Sequence, residues 1–442
     1  MSKLKEKVLL NIVLPMAEGV MGLRACKWHR QILKMNQWSH EEIVAWQNEQ
    51  LQKFVKHAYE HTTYWKRVFD ERGLKPSDIR TAEDLKKLPV LTKDEIRAHT
   101  DELIADNASQ YKHRSGKTGG TTGDPMYYKC DEEVWGYITA AKRVAWLTTP
   151  FQYGDAFVAL GSASLFKKKA SLPRRIYDRL RHEVPLNSMN LSDELCAQYI
   201  EKFRKERIRF VYGYASSIYL LARYARDHKI DMSFIEGVFT TSENLTDEYR
   251  AVIEQVCGCR VMDCYGCRDA GLATYEVLPH KYFVGYNSIL EVVDEWAPNT
   301  GTLISTNVLN YSMPLLRYNF GDEACLKNED DEYNGQVITK IYGRTSDVMR
   351  LDNGHVLTSP GFTILMNGFD IVAYDIQKLS GSEVRVQIQP MPGKFTDEQQ
   401  KKIEKEMQRF VGEGCKLTIE LVKEFAPLPN GKRRYFMNDL SK

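Results

Sequence analysis

The sequence predicts an α/β protein: a large N-terminal domain that opens on a helical segment, followed by a small α+β domain at the C-terminus. Three observations predict this. At 442 residues the chain exceeds what one hydrophobic core holds. From about 120 to 325, short apolar runs alternate with helical periodicities, the pattern of a largely parallel sheet. After Gly343 a strand–helix–strand pattern restarts over roughly a hundred residues. The boundary is placed near Asp347, giving domains 1–346 and 347–442, with residues 1–110 a mainly helical lead-in.

The apolar run from Val8 to Gly22 follows basic residues and mimics a signal peptide. However, Pro15 and Glu18 interrupt it, no small-residue cleavage site follows, and it is too short to span a bilayer. It reads as a helix docked on the domain, with peripheral membrane contact through residues 8–22 the alternative. Ser39-His40-Glu41-Glu42 and Thr92-Lys93-Asp94-Glu95 are capping-box patterns that start helices. After the first, Ile43, Trp46, Leu51, Phe54, Val55 and Ala58 recur at helical spacing, as core positions do. Buried strands are expected at 156–160, 210–212, 237–240 and 260–262, with helices at 193–205, 217–227 and 246–256 between them. The runs 288–293 and 302–306 suggest an antiparallel pair. In the tail, strands at 384–389 and 416–422 flank a charged helix at 396–411.

A composition of 43% hydrophobic and 27% charged residues is that of an ordinary globular protein. The net charge of +2 argues against nucleic acid as a partner. Nine cysteines without regular spacing suit reduced thiols in a cytoplasmic protein. Cys257, Cys259, Cys264 and Cys267 do cluster, but no second C-x-x-C follows, so buried free thiols are expected rather than a metal site.

The most informative stretch is Thr118-Gly119-Gly120-Thr121-Thr122-Gly123-Asp124-Pro125, followed by the strand-like Met126-Tyr127-Tyr128-Lys129. Glycines let backbone approach an anion closely, and threonine hydroxyls add donors, so the loop suits a polyphosphate. It is not a Walker A loop: Tyr111 stands where the first glycine belongs, and no helix-forming run follows Thr118. Four segments follow in order: Asp263-Cys264-Tyr265-Gly266-Cys267-Arg268-Asp269, Leu316-Arg317-Tyr318-Asn319-Phe320-Gly321-Asp322, Gly343-Arg344-Thr345-Ser346-Asp347-Val348, and Pro427-Leu428-Pro429-Asn430-Gly431-Lys432.

In this order the segments resemble the signatures of the adenylate-forming superfamily. The closer resemblance is to its phenylacetate–CoA ligase-like branch, including the CapK-type proteins of capsule and exopolysaccharide clusters. Tyr64-Trp65-Lys66-Arg67 through Leu88-Pro89-Val90-Leu91-Thr92-Lys93-Asp94-Glu95, and Tyr214 through Ala222, look like further segments of that branch. The resemblance implies a large AMP-binding domain and a small mobile lid.

It also implies ATP, Mg2+ and CoA as cofactors, and a small-molecule carboxylic acid that is activated as an acyl-adenylate. The acyl group then passes to CoA or to another acceptor. By resemblance, Thr118, Gly120, Thr121, Thr122 and Gly123 hold phosphates, while Asp322 and Arg344 hold the ribose. Tyr265 and Gly266 pack near the adenine, and Glu243 belongs to the adenine-side loop or else caps the helix that follows it. Arg268 stands beside the α-phosphate, Asp269 meets magnesium, Lys432 is catalytic, and Asp347 is the hinge. The family pattern ends Tyr-Gly-x-Thr-Glu, so Arg268 and Asp269 are departures, and Arg350 replaces a frequent lysine. Tyr212, Tyr214 and Tyr219 are candidates for the wall of the acid pocket. The basic residues from Lys167 to Arg181 read as a solvated helix face, or as a contact for a phosphate-rich acceptor or membrane. An adenylyltransferase that leaves AMP on the acceptor, or a non-catalytic nucleotide-binding protein of a polysaccharide pathway, would fit the same segments.

Overall fold

Half of one large sheet is parallel and half antiparallel, and the join between them builds the candidate site. The computed structural model describes residues 7–117, 126–161, 172–188, 191–330, 333–344, 348–358, 366, 369–425 and 436–437. In chain order, β1 (His113–Lys117) and β2 (Tyr127–Asp131) form an antiparallel ribbon of their own. β3 (Phe157–Gly161), β4 (Glu183–Asn187), β5 (Phe210–Tyr214), β6 (Gly237–Thr241) and β7 (Val261–Cys267) are parallel, in the spatial order β4-β3-β5-β6-β7. β8 (Leu272–Leu278), β9 (Lys281–Val284), β10 (Ser288–Ala297), β11 (Thr300–Asn307), β12 (Tyr318–Lys327) and β13 (Val337–Arg344) continue the sheet antiparallel, in the order β8-β9-β13-β12-β11-β10.

The parallel strands read as unbroken apolar runs because both faces are covered. One face carries Val158, Leu160, Val211, Val238 and Val261 against Ile200, Phe203, Ile218, Leu221 and Ile253. Those residues come from helices Asp193–Glu206, Ala215–Asp227 and Asp247–Cys257. The other face carries Phe157, Phe210, Phe239 and Met262 under the helix Glu132–Trp146. There Trp146 stacks on Phe239 at 4.2 Å and Thr148 Oγ1 reaches Met262 Sδ at 3.5 Å.

Both expected capping boxes form, at Ser39 for helix His40–His61 and at Thr92 for helix Lys93–Ala98. The segment Leu9–Met21 is helical and docks through Leu14 and Glu18. Glu18 is 2% exposed; it accepts from Cys26 N at 2.8 Å and Tyr177 OH at 3.1 Å, so the charge that interrupts the apolar run points inward. Arg181 is not solvated as the basic-face reading expects. It is buried, pairs with Glu183 at 3.1 Å and lies over Tyr177, because helix Leu172–Leu180 packs on the N-terminal helix.

After Arg344 the chain builds β14 (Val348–Arg350) and β15 (Val356–Thr358), then β16 (Ile371–Ser380), β17 (Glu383–Pro390), β18 (Lys416–Leu421) and β19 (Phe436–Met437). The last four form a sheet in the order β18-β17-β16-β19. Helix Asp397–Val411 covers it with Ile403, Met407 and Val411 against Ile376, Val386 and Ile388. Arg350 pairs with Glu323 of β12 and lies 4.8 Å over the Trp296 ring.

Candidate active site

The site forms where β12 and β13 pass the end of β7, and long-range pairing alone makes it. Leu91 joins β12 as a parallel bridge to Tyr318: its N–H donates to Arg317 O at 3.0 Å and its carbonyl accepts from Asn319 N at 2.9 Å. Thr92 then caps the next helix, so Lys93 enters at the first helical position directly above Phe320. Gly321, at φ +87°, takes a conformation that side chains rarely adopt, and a Cβ there would stand 3.5 Å from Lys93 Nζ.

Tyr265, Asp322 and Arg344 meet. The Tyr265 hydroxyl donates to Asp322 Oδ2 at 2.7 Å. Arg344 Nε lies 3.1 Å from Asp322 Oδ1, which accepts no hydrogen bond from a described residue although it is buried. Register explains the pairing, since Asp322 stands opposite Arg344 across β12 and β13. Burial and then the Asp322 charge push the Tyr265 phenol well above its ordinary range, so it remains a donor. The Phe320 carbonyl accepts from both Arg344 Nη1 at 2.7 Å and Lys93 Nζ at 2.5 Å. Burial first, then repulsion from Arg344, pulls the Lys93 ammonium below the usual lysine range. Lys93 falls inside a capping box and a segment that resembles the branch, but neither assigns it a role.

Asp269 stands beside this group. The Tyr318 hydroxyl donates to its Oδ2, and Cys267 Sγ donates to Oδ1 at 3.0 Å. Burial raises both the Cys267 thiol and the Tyr318 phenol, which keeps each protonated as a donor. Among the described residues no three His, Cys, Asp or Glu side chains gather into a metal-binding set. One oriented hard carboxylate nonetheless fits magnesium, which commonly takes one or two carboxylates and completes its shell with phosphate oxygens and water. The buried, unfilled acceptor on Asp322 likewise fits a ribose hydroxyl.

Below Tyr265 lies a buried polar support. Asp263 accepts from Thr240 Oγ1 at 2.6 Å and Tyr282 OH at 3.0 Å. Glu276, fully sealed from solvent, accepts from Asp263 N at 3.0 Å and, on both oxygens, from Arg250 Nη2 at 2.7 Å. Gly266 is required at its place, since a Cβ there would fall 2.6 Å from Leu272 O on β8.

Other expected residues lie apart. Arg268 is exposed and sits 5.5 Å over the Trp135 ring, which Arg114 also covers at 5.1 Å. Glu243 accepts from Ser216 N at 2.9 Å; it caps helix Ala215–Asp227, the helix before it in sequence. Tyr219 stacks on Tyr249 at 4.2 Å, on the sheet face opposite Tyr212, so the two do not share a pocket. Cys264 and Cys267, three positions apart on β7, face opposite sides of the sheet. Thr118, Gly120, Thr121, Thr122, Gly123, Asp347 and Lys432 lie outside the described residues. Lys117 and Tyr127, which flank the threonine–glycine loop, are paired across β1 and β2. Met126, at the loop's exit, has its sulfur 3.7 Å from the Tyr318 hydroxyl that serves Asp269.

No protein-family model matches the chain. Among curated proteins it is 22% identical to Protein CapK of Staphylococcus aureus over 412 residues, covering 90% of each chain. It is 28% identical to the phenylacetate-coenzyme A ligase of Escherichia coli K12 over 345 residues, covering 73% of this chain and 75% of the ligase. Among solved structures, 2-hydroxyisobutyryl-CoA ligase in its postadenylation state superposes with a TM-score of 0.65 at 19% identity, covering 89% of both chains. An open conformation of that ligase gives 0.62 at 18% identity, covering 89% of this chain and 91% of the other. The chain is thus a relative of CapK and the phenylacetate-coenzyme A ligases, and it has the mixed α/β fold of the acyl-CoA ligases in the adenylate-forming superfamily.

Proposed function

We propose that this protein activates a carboxylic acid with ATP as the acyl-adenylate and then passes the acyl group to CoA. The carrying observation is the Asp322 carboxylate, fixed by Tyr265 on one oxygen and flanked by Arg344, with the other oxygen buried and unfilled. That oxygen is paired by charge with Arg344 but fills no hydrogen bond among the described residues, so it has lone pairs to offer a ribose hydroxyl. Arg344 would hold the ribose with it, and Tyr265 and Gly266 would border the adenine. The names of the acid–CoA ligase relatives support the same reading.

In the first half-reaction a substrate carboxylate oxygen attacks the α-phosphorus, and pyrophosphate leaves. Two anions must meet, so positioning and preorganised positive charge supply most of the acceleration. The loop Thr118–Gly123 would hold the β- and γ-phosphates. Lys93 and Arg344 would oppose charge near the α-phosphate. Lys432 would complete the site when residues 347–442 close over it, with Asp347 as hinge. Magnesium held at Asp269 and the phosphates would neutralise charge on the leaving group. A place in capsule or exopolysaccharide synthesis is part of the proposal and rests on the resemblance of the sequence segments to CapK-type proteins.

No helix among the described residues is long and apolar enough to cross a membrane. We place the protein in the cytoplasm, resting on the anionic inner leaflet. Val8, Ile12, Met16 and Val20 form an exposed stripe at four-residue spacing, continued by exposed Leu172 and Ile176 and edged by exposed Lys7, Arg175 and Arg179. Flotation with phosphatidylglycerol vesicles should show binding that Met16→Glu abolishes. A shift in oligomeric state on the same substitution would mean that a second copy covers the stripe.

The test of function is acid-dependent ATP–pyrophosphate exchange, with Asp322→Ala and Lys432→Ala alongside. Exchange that both variants lose supports the reading. ATP binding without exchange across a broad acid panel, or stable AMP on the acceptor, would overturn it.

A further inference from the structure

Beside Tyr212 of β5, under the helix Glu132–Trp146, lies an ammonium that the adenylation chemistry does not use. Helix Glu132–Trp146 lies on the sheet face that carries Ala159, Tyr212, Phe239 and Met262, which are register neighbours on β3, β5, β6 and β7. Two residues further along, the same face presents Tyr214, Thr241 and Cys264 at the carboxyl ends of parallel strands. Open α/β sheets bind ligands at that end. Cys264 also directly precedes Tyr265, which anchors Asp322.

The ammonium belongs to Lys142, one turn before Trp146. Its Nζ stands 4.0 Å from the centroid of the Tyr212 ring and 5.4 Å from that of Trp146. Trp146, Phe239 and Met262 are sealed, yet Lys142, Tyr212, Thr241 and Cys264 all keep some contact with solvent. The strand ends beside the helix are therefore less sealed than the core beneath it. The ammonium has three donors, and among the described residues it lies over the two rings with no hydrogen bond or ion pair recorded for it. Glu183, an acid whose field reaches it, is held by Arg181 at 3.1 Å.

We infer that Lys142 is the recognition group of the acid pocket, and that the acid activated here carries a second, anionic group which pairs with it. This rests on the adenylation reading and names its substrate class. Burial pushes the Lys142 ammonium down to about 8. A charge withdrawn from water without a counter-ion is expensive, and an anion delivered by the substrate relieves that cost only in the complex. Ring contact alone satisfies one side of the ammonium and leaves donors open. The Tyr212 hydroxyl and Thr241, which share a hydrogen bond, supply further polar contacts on the same wall.

The experiment pairs acids of matched shape with and without the second carboxylate: succinate against butyrate, and homophthalate against phenylacetate. ATP–pyrophosphate exchange and ATP binding are measured in the wild type, Lys142→Met and Lys142→Gln. The dianionic member of a pair should be favoured by about 10- to 100-fold in kcat/KM, and both variants should abolish or invert that preference while still binding ATP. Equal use of both members, unchanged in the variants, overturns the inference and leaves adenylation standing. If ATP binds but no acid drives exchange, the adenylation reading has failed. Equilibrium dialysis of the same diacids then decides the site: binding lost in both variants supports it, and absent or unaltered binding overturns it.

Discussion

Lys93 and Arg344 share one acceptor, the backbone carbonyl of Phe320, at 2.5 and 2.7 Å. Two like charges so close repel, which is part of why Lys93 is pulled below its ordinary range. Such a pair is stable because Asp322 and Asp269 lie nearby, and an arriving polyphosphate would favour it further.

Lys93→Met should therefore raise the KM for ATP about 10- to 100-fold, the range expected for losing a hydrogen bond to a charged group. The thermal midpoint should stay constant or rise, since repulsion with Arg344 is relieved. Steady-state kinetics and a melting curve on the same sample check both. An unchanged KM would remove Lys93 from the site.

Tyr265→Phe and Asp322→Asn separate orientation from binding. Losing the phenol costs one hydrogen bond, about 1 kcal/mol or roughly fivefold in ATP affinity. Asparagine keeps one carbonyl acceptor but loses the charge and the second acceptor oxygen, leaving an NH2 donor beside Arg344 or Tyr265, and should cost about 10- to 100-fold. Because the two side chains touch, the double variant should fall short of the product of the singles, a coupling that a double-mutant cycle of ATP dissociation constants measures.

How much of this was legible depends on where each residue's partners lie along the chain. The expected runs near Phe157, Phe210, Gly237 and Val261 are strands within a few residues, because strands covered on both faces are apolar throughout. β12 escapes such reading, since Asp322 and Glu323 break the apolar pattern: one turns to Tyr265 and Arg344 and the other to Arg350. Lys93 lies in a segment that resembles the branch, yet its role was not visible, because the bridge from Leu91 to Tyr318 that aims it spans more than two hundred residues. Glu243 was read toward the helix that follows it, yet it caps the one before, a choice that sheet register makes.

The support beneath Tyr265 predicts a stability effect away from the nucleotide. Glu276→Ala leaves the buried Arg250 guanidinium without its carboxylate and should cost about 3–5 kcal/mol. Replacing both by methionine should recover much of that loss, since the desolvation of two charges is then avoided. Urea midpoints of the single and double variants check the ordering. Equal loss in both would mean that packing, not charge, carries the support.

His29 gives the fold a definite pH dependence. It is 6% exposed, and its Nδ1 lies 2.8 Å from the Tyr153 hydroxyl. Burial, followed by the charges of Arg143 and Arg30, lowers it to about 4. Between about pH 6.5 and 4 the unfolded chain therefore binds a proton that the folded chain refuses, so acidification favours unfolding. Across that window the group should remove on the order of 3 kcal/mol of stability as the pH falls. Carboxylates titrate in the lower part of the same window, so the wild type must be compared with His29→Asn, whose side-chain oxygen can still accept from Tyr153. The variant should lose less stability than the wild type from pH 6.5 to 4. Parallel curves would show that His29 protonates in the native state, through opening of the N-terminal helices that cover it.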